Sequence, residues 1–260
     1  MIKSKINRAK SLIQQTIIVG GILASFSASA APIDLTSWVV DNSFDFPAGQ
    51  NAGNWVVSGG GTTVTQTVNG DPTLFLSPTS IGNIQGLTGT FSESTSDDDF
   101  VGFVFGFQNT SQFYLFDWKQ GTQPSYGETA LRGISLKRFD STPTTHGQLW
   151  KTGDTAVSTL LHHEDLARSS NTTYTFGLDR NISTGDIAIS ISQGVNLLAS
   201  FSVNDNTYGA GQFGFYNNSE GPVQYTGFEA DVFQVPAPAT LALFGLGLTI
   251  LGMRRRKTEG

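Results

Sequence analysis

The chain has 260 residues, of which 14% are charged, 30 are glycine, 19 are phenylalanine and none is cysteine. That mix excludes coiled coils and helical bundles, which need Ala/Glu/Lys/Leu-rich periodic stretches, and a disordered chain, which would be poor in aromatic and β-branched residues. It also excludes disulfides, thiolate metal sites and cysteine nucleophiles.

Eight of the basic residues lie at the two ends, so residues 31–235 keep 7 basic against 20 acidic side chains. Such a surface repels phosphate backbones, which argues against nucleic acid as a partner. It suits an exterior rich in divalent cations, which offset the self-repulsion.

Residues 1–30 read as a secretory signal helix. Lys3, Lys5, Arg8 and Lys10 precede an apolar stretch from Leu12 to Phe26. Ala28 and Ala30 then supply small residues at the −3 and −1 positions, so cleavage is expected between Ala30 and Ala31. An uncleaved anchor is the competing reading, and the polar run Gln14-Gln15-Thr16 weakens it.

Across residues 31–234 the hydrophobic period is two rather than 3.6. Strands are expected at 54–57, 63–68, 74–76 and 87–91, then at 100–107 and 113–119, and further on at 133–139, 174–178, 186–191, 197–203, 212–216 and 223–230. Turn chemistry separates them, as in Gly59-Gly60-Gly61, Asn69-Gly70-Asp71-Pro72 and Asn204-Asp205-Asn206. In the segment 100–107, Val101, Phe103, Phe105 and Phe107 are expected on one face, with Phe100, Gly102, Val104 and Gly106 on the other. With 113–119 it makes a hairpin that is aromatic on both faces and belongs in the middle of a packed sheet. Only His162–Ser169 offers a brief helix. Many short strands with polar turns imply two stacked antiparallel sheets, an all-β sandwich.

Within this body Asp97-Asp98-Asp99 is the strongest local chemistry. Three carboxylates at a strand entry suit Ca²⁺, which takes six to eight hard oxygen ligands in irregular geometry. They equally suit a solvated acidic turn that guards a hydrophobic strand. Asp71 and Asp154 are the further candidate ligands, and each also suits an ordinary turn. His162-His163-Glu164-Asp165 reads as structural, because adjacent histidines do not converge and zinc-enzyme spacing is absent. No Glu-x-Asp-x-x-Glu strand, Gly-x-Ser-x-Gly or phosphate-binding glycine loop occurs, so no catalytic residue is assigned. Trp118 and Trp150 read as core.

Residues 235–257 form a three-part tail. Val235-Pro236-Ala237-Pro238 leads into an apolar run from Thr240 to Met253, and Arg254-Arg255-Arg256-Lys257 closes it. The run is short for a spanning helix but serves as a transmembrane segment in a thin bilayer, its basic end held in the cytoplasm. The tail resembles the PEP-CTERM sorting signal, with Ala237 where that motif usually has glutamate. This resemblance implies transient insertion in the inner membrane of a Gram-negative exopolysaccharide producer and processing by an exosortase-type enzyme.

The body resembles the C-terminal domain of thrombospondins. The resemblance is carried in order by Asn54-Trp55-Val56-Val57, Asp71-Pro72, Gly89-Thr90-Phe91, the run from Asp97 to Gln108, Trp118-Lys119-Gln120, Leu149-Trp150-Lys151-Thr152-Gly153-Asp154-Thr155 and Tyr208–Phe215. It spans residues 38–229 and implies a concanavalin-like (L-type lectin) jelly-roll sandwich whose loops bind calcium. Animal thrombospondins carry EGF-like modules and Asp-rich calcium repeats upstream, and only the signal peptide is read ahead of the sandwich here, so their receptor interactions do not carry over. The expected function is an exported, non-enzymatic, calcium-binding adhesion or matrix module, associated with exopolysaccharide or surface glycans in the cell envelope or extracellular matrix. The alternatives are a carbohydrate-active enzyme on the same sandwich and a purely structural envelope protein.

Overall fold

The structure, a computed structural model, describes residues 31–46 and 49–230. The expected signal helix, transmembrane segment and sorting tail lie outside the described residues. In chain order the strands are β1 (Ala31–Pro32), β2 (Val39–Asp41), β3 (Trp55–Ser58), β4 (Thr63–Gln66), β5 (Thr73–Leu76), β6 (Ile84–Glu93), β7 (Phe100–Asn109), β8 (Gln112–Lys119), β9 (Gln123–Ser125), β10 (Glu128–Ala130), β11 (Gly133–Phe139), β12 (Ser158–Glu164), β13 (Thr173–Asn181), β14 (Asp186–Gln193), β15 (Asn196–Asn204), β16 (Gln212–Asn218) and β17 (Val223–Ala230). One short helix, α1, spans His146–Trp150.

Two large antiparallel sheets result, with β9 and β10 forming a separate two-stranded hairpin. Sheet A runs β15–β14–β13–β6–β17–β4–β3, with β1 paired to β17, and sheet B runs β12–β11–β8–β7–β16–β5–β2. The chain crosses repeatedly between them, with β5 in sheet B, β6 in sheet A and β7 back in sheet B. This is the expected jelly-roll sandwich, and the 100–119 hairpin sits at the centre of sheet B.

The alternation of side chains builds two cores. Between the sheets, Val101, Phe103 and Phe105 of β7 pack with Tyr114, Phe116 and Trp118 of β8 and with Phe91, Phe176 and Phe213. Phe103 lies 4.7 Å from the Phe116 ring and 4.8 Å from Phe176. On the opposite face of sheet B, Phe100, Val104, Phe113, Leu115 and Phe139 form a second core, closed by Phe44, Leu149 and Trp150. The hairpin is therefore buried on both faces, as its aromatic pattern implies.

Two local expectations are corrected. Phe107 belongs to the second core with Phe100 and Val104, not to the face of Val101, Phe103 and Phe105. The cause is a bulge: Gly106 takes φ +57°, and the register between β7 and β8 shifts after Phe105. That extra residue turns Phe107 to the other side. A Cβ at Gly106 would also come within 2.7 Å of the Arg180 guanidinium. The brief helix expected at His162–Ser169 is instead the end of β12 and a connection, because Ser158–Glu164 pairs along β11. The helix lies earlier, at α1, where Gln148 Oε1 accepts the Thr145 N–H (3.2 Å) and the Thr144 N–H (2.7 Å).

Truncating the side chain at the middle of the inner core, Phe103→Ala, is expected to cost about 3–5 kcal/mol. Equilibrium urea unfolding checks this as a lower midpoint with an unchanged slope.

Candidate metal centre

One end of the sandwich gathers charge. The loop from β6 to β7 carries Asp97, Asp98 and Asp99, and one carboxylate oxygen from each lies within 4.8 Å of the others. Asp97 Oδ2 accepts from Asn69 Nδ2 (2.5 Å), and its Oδ1 accepts the Asp98 N–H (2.9 Å). Asp99 is buried, and its Oδ1 is 2.7 Å from Lys119 Nζ. The fully buried Lys119 also donates to the Asp98 carbonyl (3.1 Å) and to Gln123 Oε1 (2.8 Å), 4.8 Å from the Trp150 ring. Its ammonium is 3.4 Å from Asp98 Oδ1.

Burial dominates the electrostatics of the loop. Desolvation pushes the Asp99 carboxyl up to about 6 despite the Lys119 ammonium beside it. Desolvation also raises Asp97, with the Glu220 charge adding to the effect. Beneath the loop Arg168 is buried between two carboxylates. It contacts Glu93 and lies 2.6 Å from Glu220 Oε2, while its Nη2 also donates to the Asp99 carbonyl. Thr95 Oγ1 donates to Glu220 Oε1 (2.9 Å). The end therefore holds five carboxylates, Glu93, Asp97, Asp98, Asp99 and Glu220, against the two cations Lys119 and Arg168. Its surplus of negative charge and its hard oxygen donors fit a divalent cation of the calcium type.

Asp71 is separate from this cluster. It is 1% exposed, and neither carboxylate oxygen has a hydrogen-bond partner of good geometry among the described residues. Its Oδ1 lies 3.4 Å from His146 Nδ1, and His146 Nε2 is bonded to Asn218 Oδ1 (2.7 Å). Burial raises the Asp71 carboxyl, and the nearby Asp45 raises it further against the Gln50 N–H. Desolvation lowers the His146 imidazole to about 4. A neutral imidazole nitrogen and an oxygen-rich carboxylate thus face each other in a closed space.

Asp154 stands apart from both places. Its Oδ1 accepts the Leu160 N–H (2.8 Å) and closes the turn into β12. His162 and His163 do not converge: His162 stacks on Phe201 with 3.8 Å between rings, while His163 Nδ1 meets the Ile134 carbonyl (3.1 Å). Trp118 and Trp150 are core, 0% and 1% exposed. Ala31, the expected first residue after cleavage, begins β1 opposite Ala230. Ala30, Val235, Pro236, Ala237, Pro238, Arg254, Arg255 and Arg256 lie outside the described residues.

Sequence reasoning did not find Lys119, Arg168, Glu93, Glu220 or His146. The one local signal was Lys119 itself, a lone cation ending an otherwise aromatic strand. The glutamates carried none, since Glu93 and Glu220 are 127 positions apart in the numbering and meet only through Arg168.

A two-sheet jelly roll with an acidic loop at one end defines an all-β sandwich module. The chain belongs to the family described as the thrombospondin C-terminal region, which matches residues 50–232. Residues 234–257 match the PEP-CTERM protein-sorting motif. Thrombospondin-2 of Bos taurus is 34% identical over 187 residues, which is 66% of this chain and 16% of that protein. Cartilage oligomeric matrix protein of Bos taurus is 34% identical over 177 residues, 63% of this chain and 23% of that one. The chain therefore spans less than a quarter of the length of these relatives. Among solved structures, the carbohydrate binding module CBM66 from Bacillus subtilis aligns with a TM-score of 0.49 and 10% identity, over 71% of this chain and 94% of that one.

Replacing Lys119 by Met strands the buried Asp99 carboxylate and is expected to destabilise the fold by about 3–5 kcal/mol. The double variant Lys119→Met/Asp99→Asn should lose clearly less than the two single variants together. A double-mutant cycle on thermal or urea unfolding measures the coupling, and strict additivity would show that the pair carries no structural weight.

Proposed function

We propose that this protein is an exported, calcium-binding, lectin-like adhesion or matrix module that associates with exopolysaccharide or surface glycans. The PEP-CTERM motif supports sorting to the cell surface, and it supports an exosortase-type enzyme as the processing partner. In this reading the apolar run from Thr240 to Met253 inserts in the inner membrane of a Gram-negative cell until the tail is handled.

The observation that carries the calcium reading is the surplus of carboxylate at the Asp97–Asp99 loop. Lys119 pairs closely with Asp99 and reaches Asp98 at 3.4 Å, so one ammonium is shared by two carboxylates and Asp97 has no ion pair among the described residues. Asp97, Asp98 and Asp99 would hold one ion through carboxylate oxygens. Asp71, with its unpartnered oxygens and the neighbouring Asp45, is a second proposed position. A bound Ca²⁺ would supply charge neutralisation that fastens the loops at this end of the sandwich, with no chemical step.

A binding role rather than catalysis is supported by the state of the acidic side chains. Glu93 and Glu220 come together as a potential carboxylate pair, yet both are buried and committed to Arg168. A glycosidase pair must instead flank an open cleft with room for substrate and water.

Calcium that binds only the folded state stabilises it by about 2.7 kcal/mol at a hundredfold excess over Kd. For a domain of this size that corresponds to a rise in melting temperature of about 5–10 °C. Scanning calorimetry of the full chain should show the rise with Ca²⁺, its reversal with a chelator, and its loss in the Asp97→Asn/Asp98→Ala variant. A melting curve indifferent to Ca²⁺, chelator and substitution would falsify the calcium reading. Release of reducing ends from a polysaccharide would instead select the enzyme alternative.

A further inference from the structure

Sheet A turns one set of side chains to the core and the other to solvent, and the solvent set is dominated by hydroxyls. Strand register places Ser58, Thr63, Thr226, Thr90, Thr175 and Ser192 side by side across β3, β4, β17, β6, β13 and β14. A second row runs through Thr88, Gly177, Ser190 and Ser200. The rows are held in register by their own bonds: Thr63 and Thr226 hydroxyls are 2.9 Å apart, and Thr90 Oγ1 donates to the Thr226 carbonyl (2.9 Å). Among the described side chains of this face the charged ones are Asp179 and Asp186, and both lie at the same end.

That end opens into a groove of about 300 Å³, whose lining includes Asn83, Gln85, Asp179, Asp186, Ala188 and the buried Arg180, whose guanidinium is turned inward to the Tyr208 carbonyl. A β-bulge makes it. Gln85 and Gly86 together oppose Asp179, because Leu178 pairs with Leu87 and Arg180 with Ile84. Gly86 takes φ +61°, a conformation that favours glycine, and its N–H donates to Asp179 Oδ1 (2.7 Å). The extra residue interrupts the β6–β13 ladder beside the groove, and pairing resumes at Ile84 and Arg180. The walls are braced rather than loose. Asp186 accepts from Asn204 Nδ2 (2.9 Å) and Thr184 Oγ1 (2.6 Å), and Asn83 Oδ1 accepts the Ile182 N–H (2.9 Å).

The geometry points to this groove and the hydroxyl rows beside it as the binding site for a neutral polysaccharide chain. The inference rests on the glycan-binding reading above and adds a place and a charge class to it. Carboxylates accept hydrogen bonds only, whereas amides both donate and accept, and sugar hydroxyls satisfy both kinds of partner. Phosphate and uronate groups are repelled by Asp179 and Asp186 and by the 20 acidic against 7 basic residues of positions 31–235. A metal ion is a poor occupant, since Asp179 and Asp186 are tied to neighbours and lie outside the 97–99 cluster. Beyond the groove the hydroxyl rows give a track of small polar side chains on which further sugar rings can lie.

Affinity electrophoresis of the full chain tests this, in gels that contain dextran, mannan, galactan or β-glucan, with alginate as the acidic comparison. The expected result is retardation by at least one neutral polymer and none by alginate. Ala188→Trp fills the groove and Thr88→Glu charges the adjoining row; each should weaken retardation at least tenfold while melting temperature stays unchanged. Retardation that survives both substitutions overturns the site and leaves the glycan-binding reading standing. Retardation by alginate alone overturns the charge class, and no retardation by any polymer removes the site and the glycan-binding reading together.

Discussion

The central strands of sheet B are covered on both faces, by sheet A on one side and by α1, the Phe44 turn and the β9–β10 hairpin on the other. Any charge those strands carry must find its counter-charge inside the protein. Asp117 meets Lys137 at 2.6 Å, with both side chains nearly inaccessible. Lys119 meets Asp99 at 2.7 Å. Removing one partner of such a pair costs about 3–5 kcal/mol, whereas an exposed pair is worth about 0–1. The buried ammonium of Lys119 therefore holds the Asp97–Asp99 loop against the end of the hairpin. The acidic centre grows directly out of the charge balance of the core.

The same constraint explains why this end of the molecule keeps a negative surplus. Arg168 is spent on Glu93 and Glu220, and Lys119 on Asp99. Asp97 accepts from the neutral Asn69 amide and from the Asp98 N–H, and Asp98 shares the Lys119 ammonium at 3.4 Å. A chain with so few basic residues in its body has none to spare for them, and divalent ions outside the cell can supply what the sequence withholds.

Sheet A is built on the opposite principle. Its inner face shares the aromatic core, while the described side chains of its outer face are mostly small hydroxyls, with Asp179 and Asp186 at one end. Cross-strand hydroxyl bonds such as Thr63–Thr226 order that face without closing it. The molecule thus separates an end dense in carboxylates from a broad face dominated by hydroxyls. At the Gly86 bulge the Asp179 carboxylate is fixed at the margin of the hydroxyl rows.

The strands were legible in the amino-acid pattern, because alternation with period two is a local property: 133–139 agrees with β11 at both ends, and the 100–119 hairpin is buried on both faces as its aromatic residues require. The acidic run at 97–99 was equally plain, being contiguous. What the pattern could not carry was the face of Phe107, which depends on a bulge at Gly106. Nor could it carry the meeting of Glu93, Arg168 and Glu220, or the Asp71–His146 contact. The sequence by itself determined the class of fold, the aromatic hairpin and the acidic loop, since each is written in neighbouring residues. Only the tertiary structure decided which carboxylates are neutralised, which stay in surplus and where the groove opens, because those outcomes depend on strand register and burial across the whole sandwich.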